Sequence, residues 1–210
     1  MGSVNYEFPQ IYPRPGWVEH DPEAIWASVL KGIRAVFRKG LCKPTDVASI
    51  GITNQRETSL LWERRSGKPL GNAIVWQCRR TASFCEGLRK KGLEPMVRDR
   101  TGLVLDPYFS ASKFRWLLND IEGARGRARR GDIAAGTIDS YLLYRLTGGT
   151  VHATDVSNAS ASITSPKSSR TEYMPLIRPR RTCCRIEETV MTLGLTTASI
   201  PRVVISCPYE

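Results

Sequence analysis

The sequence predicts an α/β fold, a mixed sheet with flanking helices, and three observations carry that reading. Apolar residues recur at helical spacing between Asp21 and Gly40, three short β-favouring runs follow between Val47 and Trp76, and a helical period returns from Thr81 to Gly148. Helices interleaved with strands are the signature of this class.

The opening stretch, "EFPQIYPRPGWVEHDPEAIW", is extended or turning. Pro9, Pro13 and Pro15 each fix φ and remove a backbone donor, so no regular helix begins before Asp21. There Asp21 is an N-cap residue and Pro22 suits the first helical position. Ile25, Trp26, Val29, Leu30, Ile33, Val36 and Phe37 then form one apolar stripe that stops at Arg38-Lys39-Gly40. Val47–Thr53, Ser59–Trp62 and Asn72–Trp76 read as strands. The first two are expected to form a hairpin, and Arg64–Pro69, "RRSGKP", loops to the third.

From Thr81 to Gly148 the apolar positions are helical throughout: Phe84, Leu88 and Leu93, then Phe114, Leu117 and Leu118, then Tyr141, Leu142, Leu143 and Leu146. Asp139 or Ser140 is placed to cap the last helix and Gly148 to end it. After Ile163 the texture changes. "TSPKSSRTEYMPLIRPRRTCCRIEE" is rich in Pro, Ser and Arg and keeps no sustained period, so no element is read there.

Composition narrows the class. The 210 residues are 41% hydrophobic and 24% charged, a globular balance of one-domain size. No run of about 18 apolar residues occurs, and "MGSVNYEFPQ" has neither a basic nor an apolar leader region, so the expectation is a cytoplasmic protein without a membrane span. Cys42, Cys78, Cys85, Cys183, Cys184 and Cys207 include no C-x-x-C pair, and only His20 and His152 could join them. They read as reduced thiols, with no metal site. Net charge is +11, and between Arg79 and Arg130 there are 13 Lys+Arg against 6 Asp+Glu, a local +7. Those charges are dispersed over helical segments without interleaved aromatics, which favours a solvated basic face over a nucleic-acid footprint.

One stretch does not suit its place. Between the first two strands lies "NQRE", Asn54 to Glu57, where a tight turn would favour Gly, Asn, Asp or Pro over a long Arg beside a Glu. On a strand, Arg56 and Glu57 would point to opposite faces; on a turn both can face one pocket. A five-donor guanidinium beside an acceptor-only carboxylate suits a ligand bearing several hydroxyls, each of which both gives and takes a hydrogen bond. The other reading of the same two residues is a surface ion pair worth about 0–1 kcal/mol.

"GITNQRET", "GKPLGNAIVWQCRRT", "TGLVLDPYFSASKFRWLL" and the leading "QIYPRPGWVEHDPEAIW", continued by "GTIDSYLLYRLTGG" and "HATDVSNAS", together resemble the glycerol kinases of the FGGY carbohydrate kinase family, within the actin-like ATPase superfamily. The resemblance runs in order from Glu7 to Ile163. It implies a partial actin-like ATPase (ribonuclease H-like) domain over residues 1–163 that lacks its first strands, and an unassigned, non-family or frame-shifted tail over 164–210. It also implies a phosphotransferase to an alcohol group: glycerol as substrate, ATP and Mg2+ as cofactors, and often a homo-oligomer. Carried over by position, Arg56 and Glu57 hydrogen-bond glycerol hydroxyls, Tyr108 adds a polar contact and Trp76 covers the carbon backbone. Without that motif context, Trp76 and Tyr108 would read as core aromatics.

The sequence departs from the family in two places. It contains neither the Asp-x-Gly-Thr turn that approaches the phosphates of ATP nor the Gly-Asp-Gln motif whose Asp is the general base. No catalytic or cofactor-binding residue is therefore assigned, and the expectation is a truncated, inactive fragment. A non-catalytic polyol-binding or regulatory module is the alternative, and a basic nucleic-acid-binding protein a weaker one.

Overall fold

A five-stranded sheet with a helical layer on each face organises the chain. The computed structural model describes residues 3–41, 43–154 and 158, together with the backbone of 202–206. In chain order the elements are β1 (Gln10–Ile11), β2 (Glu19–His20), α1 (Pro22–Arg38), a 3-10 turn at Pro44–Asp46, β3 (Ser49–Thr53), β4 (Ser59–Glu63) and β5 (Ala73–Ile74). There follow α2 (Ala82–Lys90), α3 (Glu94–Thr101), α4 (Ser110–Asp120), α5 (Ala124–Arg130), β6 (Ile133–Thr137), α6 (Ile138–Leu146) and β7 (Arg202–Ser206).

Helix α1 begins as its sequence dictates. The Asp21 carboxylate accepts the Glu23 amide at 2.9 Å, Pro22 occupies the first turn, and Gly40, at φ 66°, follows the Lys39 C-cap. Its stripe is split between two environments. Ile25 and Val29 are buried against the sheet, each side chain contributing about 1.5–3 kcal/mol. Trp26, Leu30 and Phe37 border an open groove of about 650 Å3 on the outer face.

The main sheet has the order β1-β2-β5-β4-β6, and every described pair in it is antiparallel. Strand β4 lies inside it, paired to β6 from Ser59↔Thr137 to Glu63↔Ile133. Successive side chains on a strand alternate faces, and here both faces are covered. Leu60 and Trp62 pack with Ile25, Val29, Ile138, Tyr141 and Leu142, whereas Leu61 packs with Ile74, Val75, Phe114 and Leu117. The unbroken apolar run of β4 follows from this double burial.

Five expectations from the sequence change. The sheet expected to be mixed is antiparallel in every described pair. Strands β3 and β4 form no hairpin with each other: β3 pairs with β7 in a second sheet, while β5 and β6 flank β4. Residues 133–137, inside the stretch read as helical, are a strand; "IAAGT" has weak local preference, and pairing along the whole of β4 decides its conformation. The N-cap of α6 is Thr137, not Asp139 or Ser140, both of which lie in its first turn. Finally, β7 falls in the tail where no element was read. The remaining residues of 164–210 lie outside the described residues, as does the expectation of a non-family tail there.

Candidate functional site

The "NQRE" stretch is where the chain leaves β3 for β4, and its four side chains have separate tasks. Asn54 donates to Asp139 Oδ1 at 2.7 Å, Gln55 is buried and accepts from the Thr58 hydroxyl at 3.4 Å, Arg56 is exposed, and Glu57 is only 3% exposed. Glu57 has φ 64°, the only positive φ outside glycine among the described residues. Such a conformation costs about 1–3 kcal/mol and persists only where the surroundings hold it.

What holds it is the start of α4. Glu57 Oε2 accepts the Ser110 amide at 2.7 Å and the Ser110 hydroxyl at 2.6 Å. A carboxylate at a helix N-terminus is favoured by the unsatisfied amides and the helix dipole. Phe109, the N-cap, has no side-chain acceptor, so Glu57 supplies one from a distant part of the chain.

The same end of α4 places the aromatic residues. Asp106 Oδ1 accepts the Tyr108 amide at 2.8 Å, and the Tyr108 ring stands edge-on to Trp76, centroids 5.8 Å apart. Tyr108 is 38% exposed, and Trp76, half-buried, packs on the Phe114–Leu117 core. Glu57, Tyr108 and Trp76 thus share one neighbourhood. Arg56 is next to Glu57 in the chain, and no described contact brings its guanidinium to either ring.

Two residues escaped the sequence reading. Lys113 is completely buried, and its ammonium donates to the Tyr108 carbonyl. Burial lowers its pKa to about 8, with the Glu57 carboxylate the largest opposing influence. The signal was present: Lys113 and Leu117 are four apart on one helical face, so a lysine stood in an inward-facing row. Asp139, read only as a helix cap, is a buried acceptor for Asn54, Thr137 and, at 2.6 Å, Thr154. Asn54 and Thr154 are outside α6, so spacing within the helix could not have shown this.

Electrostatics elsewhere are largely structural. Arg80, its side chain 1% exposed, meets Glu19 at 2.6 Å and lies over Trp17 and Trp116, while Arg79, Arg89 and Arg127 pair with Asp106, Glu86 and Glu63. Four of the thirteen basic residues of that stretch are ion-paired in this way. Among the described residues no cluster of three or more His, Cys, Asp or Glu could hold a metal, and the buried carboxylates of Glu57 and Asp139 carry protein donors. None of the described helices is long and apolar enough to cross a membrane.

Residues 1–166 match the N-terminal domain of the FGGY family of carbohydrate kinases, and the chain belongs to that family. Glycerol kinase 2 of Thermotoga maritima is 53% identical over 163 residues, 78% of this chain and 33% of its own length. Glycerol kinase of Cereibacter sphaeroides is 58% identical over 157 residues, 75% of this chain and 32% of its own. Among solved structures, Plasmodium falciparum glycerol kinase with ADP aligns with a TM-score of 0.68 at 32% identity, covering 74% of this chain and 31% of that one. This bears out the partial actin-like ATPase fold read from the sequence. The chain spans about a third of the length of the curated relatives it matches.

Proposed function

We propose that this chain is the polyol-holding part of a glycerol kinase, with Arg56, Glu57, Tyr108 and Trp76 as its glycerol contacts. One observation carries the reading: a buried carboxylate, fixed at the N-terminus of α4, lies one short turn from a partly exposed Tyr108 that stands against Trp76. A three-carbon polyol offers little area to bury, so a few placed polar groups and an aromatic wall must orient it. Glu57 accepts from hydroxyls, Arg56 at the exposed rim donates to them, and the two rings cover carbon. The identity to glycerol kinases supports glycerol over other polyols.

The reaction this implies is transfer of the γ-phosphoryl group of ATP, with Mg2+, to a glycerol hydroxyl. Such transfer depends mainly on positioning and charge stabilisation, and this chain contributes positioning of the acceptor alcohol. ATP as donor and the free thiols of Cys78 and Cys85 fit a cytoplasmic setting. The test is titration of the 210-residue chain with glycerol, followed by the NMR signals of Trp76 and Tyr108. Arg56→Ala should weaken binding about five- to 150-fold, the equivalent of about 1–3 kcal/mol for polar groups left without a partner. Equal affinity in wild type and variant would remove Arg56 from the site.

A further inference from the structure

We propose that Lys113 is a positioning residue of the polyol pocket, whose enclosed ammonium pins the Tyr108 carbonyl and faces Glu57, holding the aromatic wall and the carboxylate in one fixed relation. The inference rests on the polyol reading above. A lysine is almost never fully buried without partners. Its partners are informative. The Tyr108 carbonyl accepts its hydrogen bond, and the titratable groups that act on it are Glu57, Cys78, Cys85 and Asp106.

Ser110 and Lys113 are three residues apart, so they lie on one face of α4. Ser110 grips Glu57 and Lys113 grips Tyr108, so a single helical turn holds two of the four candidate contacts. Tyr108 in turn sets the wall through its ring contact with Trp76. A donor needed only to satisfy a loop carbonyl could be neutral. A charge enclosed beside the Glu57 carboxylate also balances that carboxylate where water cannot.

The experiment uses the 210-residue chain and its Lys113→Met variant, with two readouts between about pH 7 and pH 9.5. One is the nuclear Overhauser effect between the Trp76 and Tyr108 rings; the other is glycerol affinity by titration. Lys113→Met is expected to weaken the ring contact and lower affinity at least about tenfold at pH 7, a loss typical of a hydrogen-bonded charge. Wild-type affinity should fall as pH rises, because the ammonium loses its proton, whereas the variant should be flat. The variant keeps Cys78 and Cys85, so a slope that survives in it belongs to the thiols and overturns the proposal.

A folded Lys113→Met chain with wild-type affinity and an unchanged ring contact also overturns it. If the variant does not fold, the wild-type profile decides: a flat profile overturns the proposal and a falling one supports it. If the wild-type chain binds no glycerol, the polyol reading fails separately. Lys113 is then judged by the ring contact alone, which must weaken in Lys113→Met for the positioning role to stand.

Discussion

Glu57 Oε2 receives both the amide and the hydroxyl of Ser110, at 2.7 and 2.6 Å, across 53 positions of sequence. The pair joins a turn that carries a left-handed glutamate to the first residue of α4, so local strain at one element is offset by capping at another. Ser110→Ala removes one donor and leaves the amide. Hydrogen bonds to charged groups are worth about 1.5–3 kcal/mol, so the unfolding free energy should fall by an amount in that range. Denaturant titration reads it. A change under about 0.5 kcal/mol would show that the amide alone fixes the carboxylate.

Acid should destabilise the chain before its carboxylates titrate. His20 on β2 is 1% exposed, lies 4.9 Å from the Phe8 ring, and has no hydrogen-bond partner for either ring nitrogen among the described residues. Burial lowers its pKa from 6.5 to about 4, and burial also lowers that of His152. The folded pKa lies below the unfolded one, so the unfolded chain binds the proton first. Stability is therefore full above about pH 6.5 and is lost as pH falls towards 4, by up to about 3 kcal/mol for His20. Urea midpoints at pH 7 and pH 4.5 measure the loss. His20→Leu should reduce the slope and leave the part due to His152; an unaltered slope would clear His20.

These two cases show what sequence could reveal. Helix α1 was legible because Asp21, Pro22 and the apolar stripe act within one element. The β3–β4 hairpin was misread because partner choice is not local: "SIGIT" and "SLLWE" are both good strands, and nothing within either says that β4 will be flanked by β5 and β6. Strand β6 was hidden because Ala134, Ala135 and Gly136 carry little periodic signal of any kind. At the candidate site, Arg56 and Glu57 stood out chemically, Trp76 and Tyr108 only through motif resemblance. Lys113 was passed over because a lysine is ordinarily assigned to solvent.

Gly136 is a packing requirement, not a turn. A Cβ built there would lie 2.8 Å from Ser140 Cβ and 3.0 Å from Trp62 Cη2, and both neighbours are buried. Gly136→Ala should therefore destabilise by about 1–3 kcal/mol, the usual cost of overpacking, although Ala is ordinarily the better residue outside turns. Combining it with Ser140→Gly should recover part of the loss, because the closer of the two contacts is removed. A Gly136→Ala chain as stable as wild type would mean that β6 can shift away from Trp62 and α6.

The 210-residue chain should form no glycerol 3-phosphate from glycerol and ATP with Mg2+, even where it holds glycerol. Positioning the alcohol accelerates transfer only when the phosphoryl donor is held beside it and a group is placed to take the hydroxyl proton. Among the described residues no group of three or more His, Cys, Asp or Glu could hold a metal, and the sequence has no Asp-x-Gly-Thr or Gly-Asp-Gln motif. Glu57 is the tempting substitute base. Its Oε2 is committed to two Ser110 donors, and taking a proton there would break contacts that cap α4 and hold the turn at φ 64°. Its inferred task is to hold a hydroxyl, not to deprotonate one. The assay is product formation by purified chain, run beside Glu57→Gln, which keeps the shape and one acceptor oxygen but cannot act as the base. Product that appears with wild type and vanishes with Glu57→Gln would show that Glu57 is catalytic and that this chain is an enzyme by itself.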